Sequence, residues 1–179
     1  MVKQSQNYSG EFTRLYDQYV ERIYRFIYYK THHKETAEDL TSTVFIKALE
    51  AFSSFDDQKG GFSGWIYRIA RNTVIDHYRS KKNLVNVEDI WDLSDKEDIE
   101  RDADVSLRLE GVKEYLGRLK TEQREIVVLR VWEGMSYKEI AEATGRSEDS
   151  CKMMFSRTIR RLRDEMPLGL FLCLLFFNI

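Results

Sequence analysis

The stretch SYKEIAEATGRSEDSCKMMFSRTIRRLR, residues 136–163, decides the fold of this part of the chain. Ser136 is followed three residues later by Glu139, a capping box that marks the start of a helix. Ala141 is small enough to lie where two helices cross steeply, and Gly145 tolerates the positive φ of a tight turn. A second helix is expected to begin near Ser147. The spacing therefore predicts a helix-turn-helix.

The second helix of this motif is expected to bury one face and to expose a basic one. At 100° per residue the first face collects the apolar side chains, namely Cys151, Phe155, Thr158, Ile159 and Leu162. The candidate DNA-binding residues lie away from it: Ser147, Ser150, Lys152, Met153, Arg157, Arg160 and Arg161. Arginine suits both guanine edges and phosphates in a major groove. The alternative is a solvated basic helix packed in a bundle.

The rest of the chain is also expected to be helical. Hydrophobic residues make up 42% of the 179 residues and charged residues 32%, and the single proline lies near the end, at position 167. Apolar residues recur at helical spacing from about Glu11, over Thr36 to Phe52 and over Phe62 to about Ser80. One further helix is expected to begin at Leu109. Another is expected to begin at a cap at Thr121 and to end at Gly134. The pattern predicts an all-α protein of two small helical domains.

Charge is distributed unevenly along the chain, although the net charge is only −2. Residues 83–108 carry nine carboxylates against three basic side chains and few periodic apolar positions. This segment is interpreted as a flexible or partly ordered acidic linker. Its acidity suits plain solubility and equally suits mimicry of nucleic acid inside a basic channel.

Several classes of function are disfavoured by what the sequence lacks. Cys151 and Cys173 suggest no disulfide framework, and the three histidines have no metal-ligand spacing with them. No Gly-rich phosphate loop or nucleophile–base pair is found, so neither an enzyme nor a cofactor is expected. His77 is interpreted as a packed histidine. The polar N-terminus and reduced cysteines favour the cytoplasm.

A second helix with an unusual face covers Phe62 to Arg79. Its polar face mixes an aromatic ring with charged and amide groups, namely Trp65, Arg68, Asn72, Asp76 and Arg79. Arg71 adds positive charge beside this face. Such a face can hold phosphate and can stack on or bond unpaired bases. A surface helix with a half-buried Trp65 explains the same periodicity.

The segments FSGWIYRIARNTVIDHYR (62–79) and AEDLTSTVF (37–45), with 119–163, resemble the small extracytoplasmic-function (ECF) sigma factors of bacterial RNA polymerase. The resemblance covers about residues 11–82 and 109–165. It implies a core-docking and −10-reading domain over 1–82, a linker over 83–108 and a −35-reading domain over 109–165. Residues 166–179 form an apolar tail beyond them.

The resemblance also implies roles for individual residues. Docking on the largest polymerase subunit would fall to Asp39, Leu40, Val44, Phe45 and Lys47. The loop 52–61 would open and read the −10 element together with Trp65, Arg68, Arg71, Asn72, Asp76 and Arg79. The helix-turn-helix would read the −35 element, and the linker would enter the polymerase near the RNA exit. The implied partners are core RNA polymerase, promoter DNA and an anti-sigma factor.

A one-component helix-turn-helix regulator, with residues 1–82 as a dimerisation or effector module, is the alternative function. Three sites depart from the residues usual in the family: Ser42–Thr43, Arg146 and Met153–Met154. They suggest an altered docking contact and either a different promoter preference or weaker binding.

The last segment, 166–179, includes ten consecutive uncharged residues, too few for a bilayer span of about 20. It has three interpretations: packing back onto the second domain, contact with a partner or a membrane surface, or a cryptic extension. Contact with a partner or membrane is the interpretation we favour from sequence.

Overall fold

Helices account for almost all of the chain described by the computed structural model, which comprises residues 2–59, 61–81 and 111–176. The helices are α1 Val2–Thr31, α2 Lys34–Ala51, α3 Gly61–Lys81, α4 111–117, α5 Thr121–Val127, α6 Tyr137–Thr144, α7 Glu148–Glu165 and α8 Leu168–Phe176. Short 3₁₀ turns connect α2 to α3, and a π-helical turn, Val128–Trp132, continues α5. The all-α prediction is confirmed, while the predicted linker 83–108 lies outside the described residues.

The first half is a bundle of α1, α2 and α3 around a core of aliphatic and aromatic side chains. Ile23, Ile27, Val44 and Ile66 are fully buried in it. The first helix begins at Val2, well before the expected start near Glu11. Polar residues at its start neither break a helix nor contribute the apolar periodicity on which the prediction relied.

The second half contains the predicted helix-turn-helix. The Ser136 Oγ accepts a hydrogen bond from the Glu139 N–H at 3.2 Å, and Glu139 Oε2 accepts from the Ser136 N–H at 2.6 Å. Gly145 ends α6 with φ 71°. The capping box, the turn glycine and the start of the second helix after Ser147 are therefore confirmed.

The predicted cap at Thr121 is wrong by one residue. Lys120 is the N-cap of α5, with extended backbone, and its N–H donates to Gln123 Oε1 at 3.2 Å. Glutamine at the third helical position supplies the same acceptor as glutamate, so the missing acid does not remove the motif.

The apolar tail packs back onto the second half through α8. Phe171, Cys173 and Leu174 are buried there, and the Trp132 Nε1–H donates to the Leu174 carbonyl at 3.2 Å. This is the first of the three interpretations given above, although four apolar side chains of α8 stay exposed: Leu168, Leu172, Leu175 and Phe176. Within the described residues no helix combines the length and apolarity needed to span a bilayer.

The two halves are not separate in this structure, since α6 lies directly against α3. The first core continues into the second half through six buried side chains: Ile126, Leu129, Met135, Ile140, Ala143 and Cys151. The backbones of α3 and α6 lie close together at Gly64, where an added Cβ would lie 2.9 Å from the Glu139 carbonyl oxygen. We refer to this arrangement as the closed arrangement.

Candidate nucleic-acid interface

The exposed face of α7 is basic, as the helical wheel predicts. Arg157 and Arg160 are exposed, and neither forms an ion pair among the described residues. Lys152 instead pairs with Glu148 at 3.1 Å, and Arg161 pairs with Glu165 at 2.8 Å. Exposed pairs of this kind contribute little energy and exchange readily for a phosphate partner. Among the described residues, this face therefore presents two guanidinium groups without an ion pair, flanked by two cations in exposed pairs.

The remaining candidates on α7 lie at or near its N-terminus. Ser147 is the N-cap, and its hydroxyl accepts from the Ser150 N–H at 3.2 Å, which orients the first turn. Ser150 is half-buried, while Met153 is exposed. On the opposite face Cys151, Thr158 and Leu162 are buried, in agreement with the predicted apolar stripe.

The predicted polar face of α3 is formed by Arg68, Asn72, Asp76 and Arg79, all of which are exposed. Trp65 is half-buried at the end of this face, within a cluster of aromatic rings. Its ring centroid lies 5.1 Å from that of Phe55 and 5.5 Å from that of Phe62. The loop between α2 and α3 is thus attached to α3 by ring contacts, which places loop and helix side by side as one surface.

A third face of α3 was missed by the sequence analysis. Gly64 lies against Glu139 and Glu142 of the second half, and the buried Tyr67 contacts Glu133, so α3 is covered on two sides. The signal that could have indicated this face is Gly64. A glycine inside a helix costs about 1 kcal/mol relative to alanine, which suggests a close backbone approach.

Two of the candidate −10 arginines are paired with carboxylates of the second half. Arg71 Nε lies 3.1 Å from Glu125 Oε2, and Arg68 Nη1 lies 3.0 Å from Glu142 Oε1. Glu125 also accepts from Lys30 Nζ at 2.8 Å, and both of these side chains are only 5% exposed. Burial alone would raise the pKa of Glu125, but the charges of Lys30 and Arg71 outweigh it and hold that pKa below its ordinary value.

Glu133 makes a second set of contacts between the halves. Arg22 Nε lies 3.3 Å from Glu133 Oε2, and Arg22 Nη2 donates to the Glu133 carbonyl at 2.6 Å. The Tyr67 hydroxyl donates to the same carboxylate. Burial, reinforced by the Glu133 charge, raises the pKa of Tyr67, so the phenol stays protonated as a donor.

The predicted docking residues on α2 divide into buried and exposed groups. Leu40, Val44 and Phe45 are buried in the first core, where they hold α2 in place, whereas Asp39 and Lys47 are exposed. The exposed strip of α2 also carries two large apolar side chains that the prediction did not include. Ile46 is 59% exposed and Leu49 is 57% exposed. A groove of about 370 Å³ runs beside this strip, between α1 and α2, lined in part by Tyr16, Tyr24 and Ser42.

Each half of the chain matches a known protein-family model. Residues 15–84 match the family model for sigma-70 region 2, and residues 109–162 match the model for sigma-70 region 4. The chain is 30% identical over 165 residues to the ECF RNA polymerase sigma factor SigX of Bacillus subtilis, covering 88% of this chain and 84% of that protein. The chain belongs to the ECF sigma factors of the sigma-70 family.

Two further relatives support this assignment. The sigma factor is 37% identical over 160 residues to the ECF RNA polymerase sigma factor BldN of Streptomyces coelicolor, covering 87% of this chain but only 60% of that protein. Among solved structures, CnrH in complex with the cytosolic domain of CnrY superposes with a TM-score of 0.63 at 25% identity. That match covers 89% of this chain and 92% of CnrH.

Proposed function

We propose that this sigma factor binds core RNA polymerase through α2 and directs it to promoters by reading the −10 element with α3 and the −35 element with α7. The observation that carries the proposal is the pair of basic faces, one in each half, on chain segments that match region 2 and region 4. The polymerase performs the chemistry, and this chain supplies recognition. It therefore acts in the cytoplasm, where polymerase and chromosome meet.

The −10 element would be opened by the surface that joins α3 to the loop before it. Flipping a base out of a duplex costs a few kcal/mol, which a pocket and stacking must offset. The aromatic cluster around Trp65 supplies rings for stacking, and Asn72 supplies a neutral donor and acceptor for a base edge. Arg79 lies exposed farther along the same helix, where it can hold phosphate.

The −35 element would be read as duplex DNA by α7. Helix-turn-helix proteins place the second helix in the major groove, with its N-terminal residues near the base edges. Arg157 and Arg160 lie in the C-terminal half of α7, where they can contact DNA without breaking an ion pair among the described residues. Met153, at the place of a usual polar residue, offers apolar contact to a thymine methyl group instead.

A protein inhibitor is the remaining proposed partner. CnrH was solved with the cytosolic domain of CnrY. We propose that this sigma factor is likewise held by a cytosolic segment of an anti-sigma factor that covers the docking and DNA-reading surfaces.

Reconstituted transcription tests the proposed function directly. With core polymerase and genomic fragments, the sigma factor should produce transcripts with defined starts, and neither component should do so alone. A one-component regulator would instead bind a palindromic site by itself as a dimer and would leave initiation by core polymerase unchanged.

Removing Arg157 or Arg160 should weaken use of the −35 element. Replacing either by alanine should cost about 1–3 kcal/mol of promoter affinity, because one arginine contact to a base or phosphate is lost. The measurement is run-off transcription with promoter binding, alongside core affinity, which should survive. Arg163→Ala is the matched control, since Arg163 is an exposed arginine of the same helix that is not among the predicted −35 residues. Loss of core binding in the two variants would contradict the assignment.

Removing the Asn72 amide should impair strand opening more than docking. Asn72→Ala takes a hydrogen-bonding group from the exposed face of α3 but leaves the buried faces intact. We expect weaker permanganate reactivity of unpaired thymines at the −10 element, with the closed promoter complex still formed. A footprint equal to that of the unaltered protein would count against this role.

A further inference from the structure

One side of α8 is apolar and uncovered, although the helix is held in place on its other side. Phe171, Cys173 and Leu174 are buried against the second half. Leu168 and Phe176, at the two ends of the helix, are 72% and 78% exposed. The exposed apolar side chains are spaced by three and four residues, so they form one stripe, which consists of Leu168, Leu172, Leu175 and Phe176. We refer to this stripe as the outer face of α8.

The composition of α8 is unusual for a helix at a protein surface. Its sequence, LGLFLCLLF, contains no charged or polar side chain. A helix that is apolar on all sides is normally enclosed, either in a protein core or in lipid. Because α8 is enclosed on one side only, its outer face exposes roughly 400 Å² of apolar surface, enough to mark an interaction site.

The two helices beside α8 carry an excess of positive charge. An added Cβ at Gly111 of α4 would lie 2.9 Å from the Leu170 side chain, and α7 leads directly into α8. Residues 113–120 and 157–165 expose seven cations and three carboxylates. Each of these carboxylates pairs with an arginine of the same segment. Four exposed cations have no ion pair among the described residues, namely Lys113, Lys120, Arg157 and Arg160.

We propose that the second half binds reversibly to the surface of an anionic membrane, with the outer face of α8 inserted among the lipid headgroups and the flanking cations against their negative charge. A single weak signal gives only marginal attachment to a membrane, whereas an apolar group combined with basic residues gives a stable one. Since no described helix is long and apolar enough to cross a bilayer, α8 lies in the interface.

Other occupants fit this surface less well. The outer face is about half of the roughly 800 Å² that each partner buries in a stable protein interface, so a second copy of the chain would be held weakly. Two copies would also bring the same unpaired cations together. DNA would accept the cations but offers no place for four large apolar side chains. A lipid surface accommodates both features at once.

Flotation of the full-length protein with lipid vesicles tests the proposal. The probes are vesicles of phosphatidylglycerol with phosphatidylethanolamine and vesicles of phosphatidylcholine alone. We expect half of the protein to bind the anionic vesicles at about 0.1–1 mM lipid and little of it to bind the neutral ones. High salt should release the protein, because it screens the attraction between the cations and the headgroups.

Removing apolar surface from α8 should abolish most of this binding. Leu168→Asp with Leu172→Asp should weaken it about 50-fold or more, because two leucines no longer enter the lipid. Both side chains are exposed, so the fold should be retained. The matched control is Ile46→Asp with Leu49→Asp, the same change on the exposed strip of α2, which should bind vesicles like the unaltered protein.

A second variant tests the charge and leaves α8 intact. Lys113→Glu with Lys120→Glu removes two cations that are not among the predicted −35 residues. It should weaken binding to anionic vesicles about 25-fold or more, at about fivefold for each basic residue near an anionic surface. Binding equal to that of the unaltered protein would remove the charge from the proposal and so contradict it.

Three further results would overturn membrane binding. They are no flotation of the unaltered protein with anionic vesicles, equal flotation of the α8 double variant, and a dimer in sedimentation that this variant abolishes. The last result would assign the outer face to a second copy of the chain. None of them bears on the proposed function, since transcription with core polymerase is measured without lipid.

Discussion

Replacing Arg124 by methionine is expected to lower the free energy of unfolding by about 3–5 kcal/mol, because three carbonyl groups, in two buried hydrogen bonds and one partly buried one, lose a charged donor. Arg124 Nε donates to the Leu116 carbonyl at 2.8 Å. Its Nη2 donates to the carbonyls of Gly117 at 2.9 Å and Leu119 at 3.3 Å. Carbonyls at a helix C-terminus have no partner within the helix, so this guanidinium completes the end of α4.

The measurement for Arg124→Met is urea and thermal unfolding of the whole chain followed by circular dichroism. A loss of this size should lower the thermal midpoint by about 10 °C. Arg118→Met is the control, since Arg118 is exposed and its ion pair among the described residues is with Glu114 one turn away, which should contribute less than about 0.5 kcal/mol. Its guanidinium also lies over the exposed side of the Tyr115 ring of the same helix, a contact that methionine can partly replace. Equal midpoints for the two variants would mean that Arg124 does not stabilise the end of α4.

The double substitution Ile46→Asp with Leu49→Asp should raise the dissociation constant for core polymerase about 100-fold or more. Two large apolar side chains on the exposed strip of α2 suit the desolvated centre of an interface, where each truncation costs about 2 kcal/mol or more. A carboxylate in such a place must also be desolvated without a partner. Because both residues are exposed in the free chain, its fold and its closed arrangement should be unaffected.

Direct binding to core polymerase measures this effect. The control replaces two exposed leucines of α8 in the same way, Leu168→Asp with Leu172→Asp, where no contact with core polymerase is proposed. Equal losses in the two double variants would indicate a general effect of added negative charge. No loss in the α2 variant would place the docking surface elsewhere on the molecule.

Local patterns in the sequence predict much of the second half correctly. The capping box at Ser136, the positive φ at Gly145 and the apolar stripe of α7 all follow from residues within one or two turns of each other. Such signals need no knowledge of the rest of the fold. The buried residues of the docking helix were harder to assign. The same periodicity gives the apolar face of α2, but it does not separate core residues such as Val44 from contacts for a partner.

The contact between the halves could not be predicted in this way. Glu125 and Lys30 are 95 positions apart, and each looks like an ordinary solvated charge within its own helix. Arg124 likewise resembles a surface base until its three carbonyl partners are known. Long-range pairing leaves no local periodicity, so only the three-dimensional arrangement identifies these side chains.

Gly64 has a consequence for comparing sigma factors with one another. A single missing side chain sets how near α6 can come to α3 in the closed arrangement. A sigma factor with a larger residue at the equivalent position would have to hold these two helices farther apart, so its two halves could not pack in the same way.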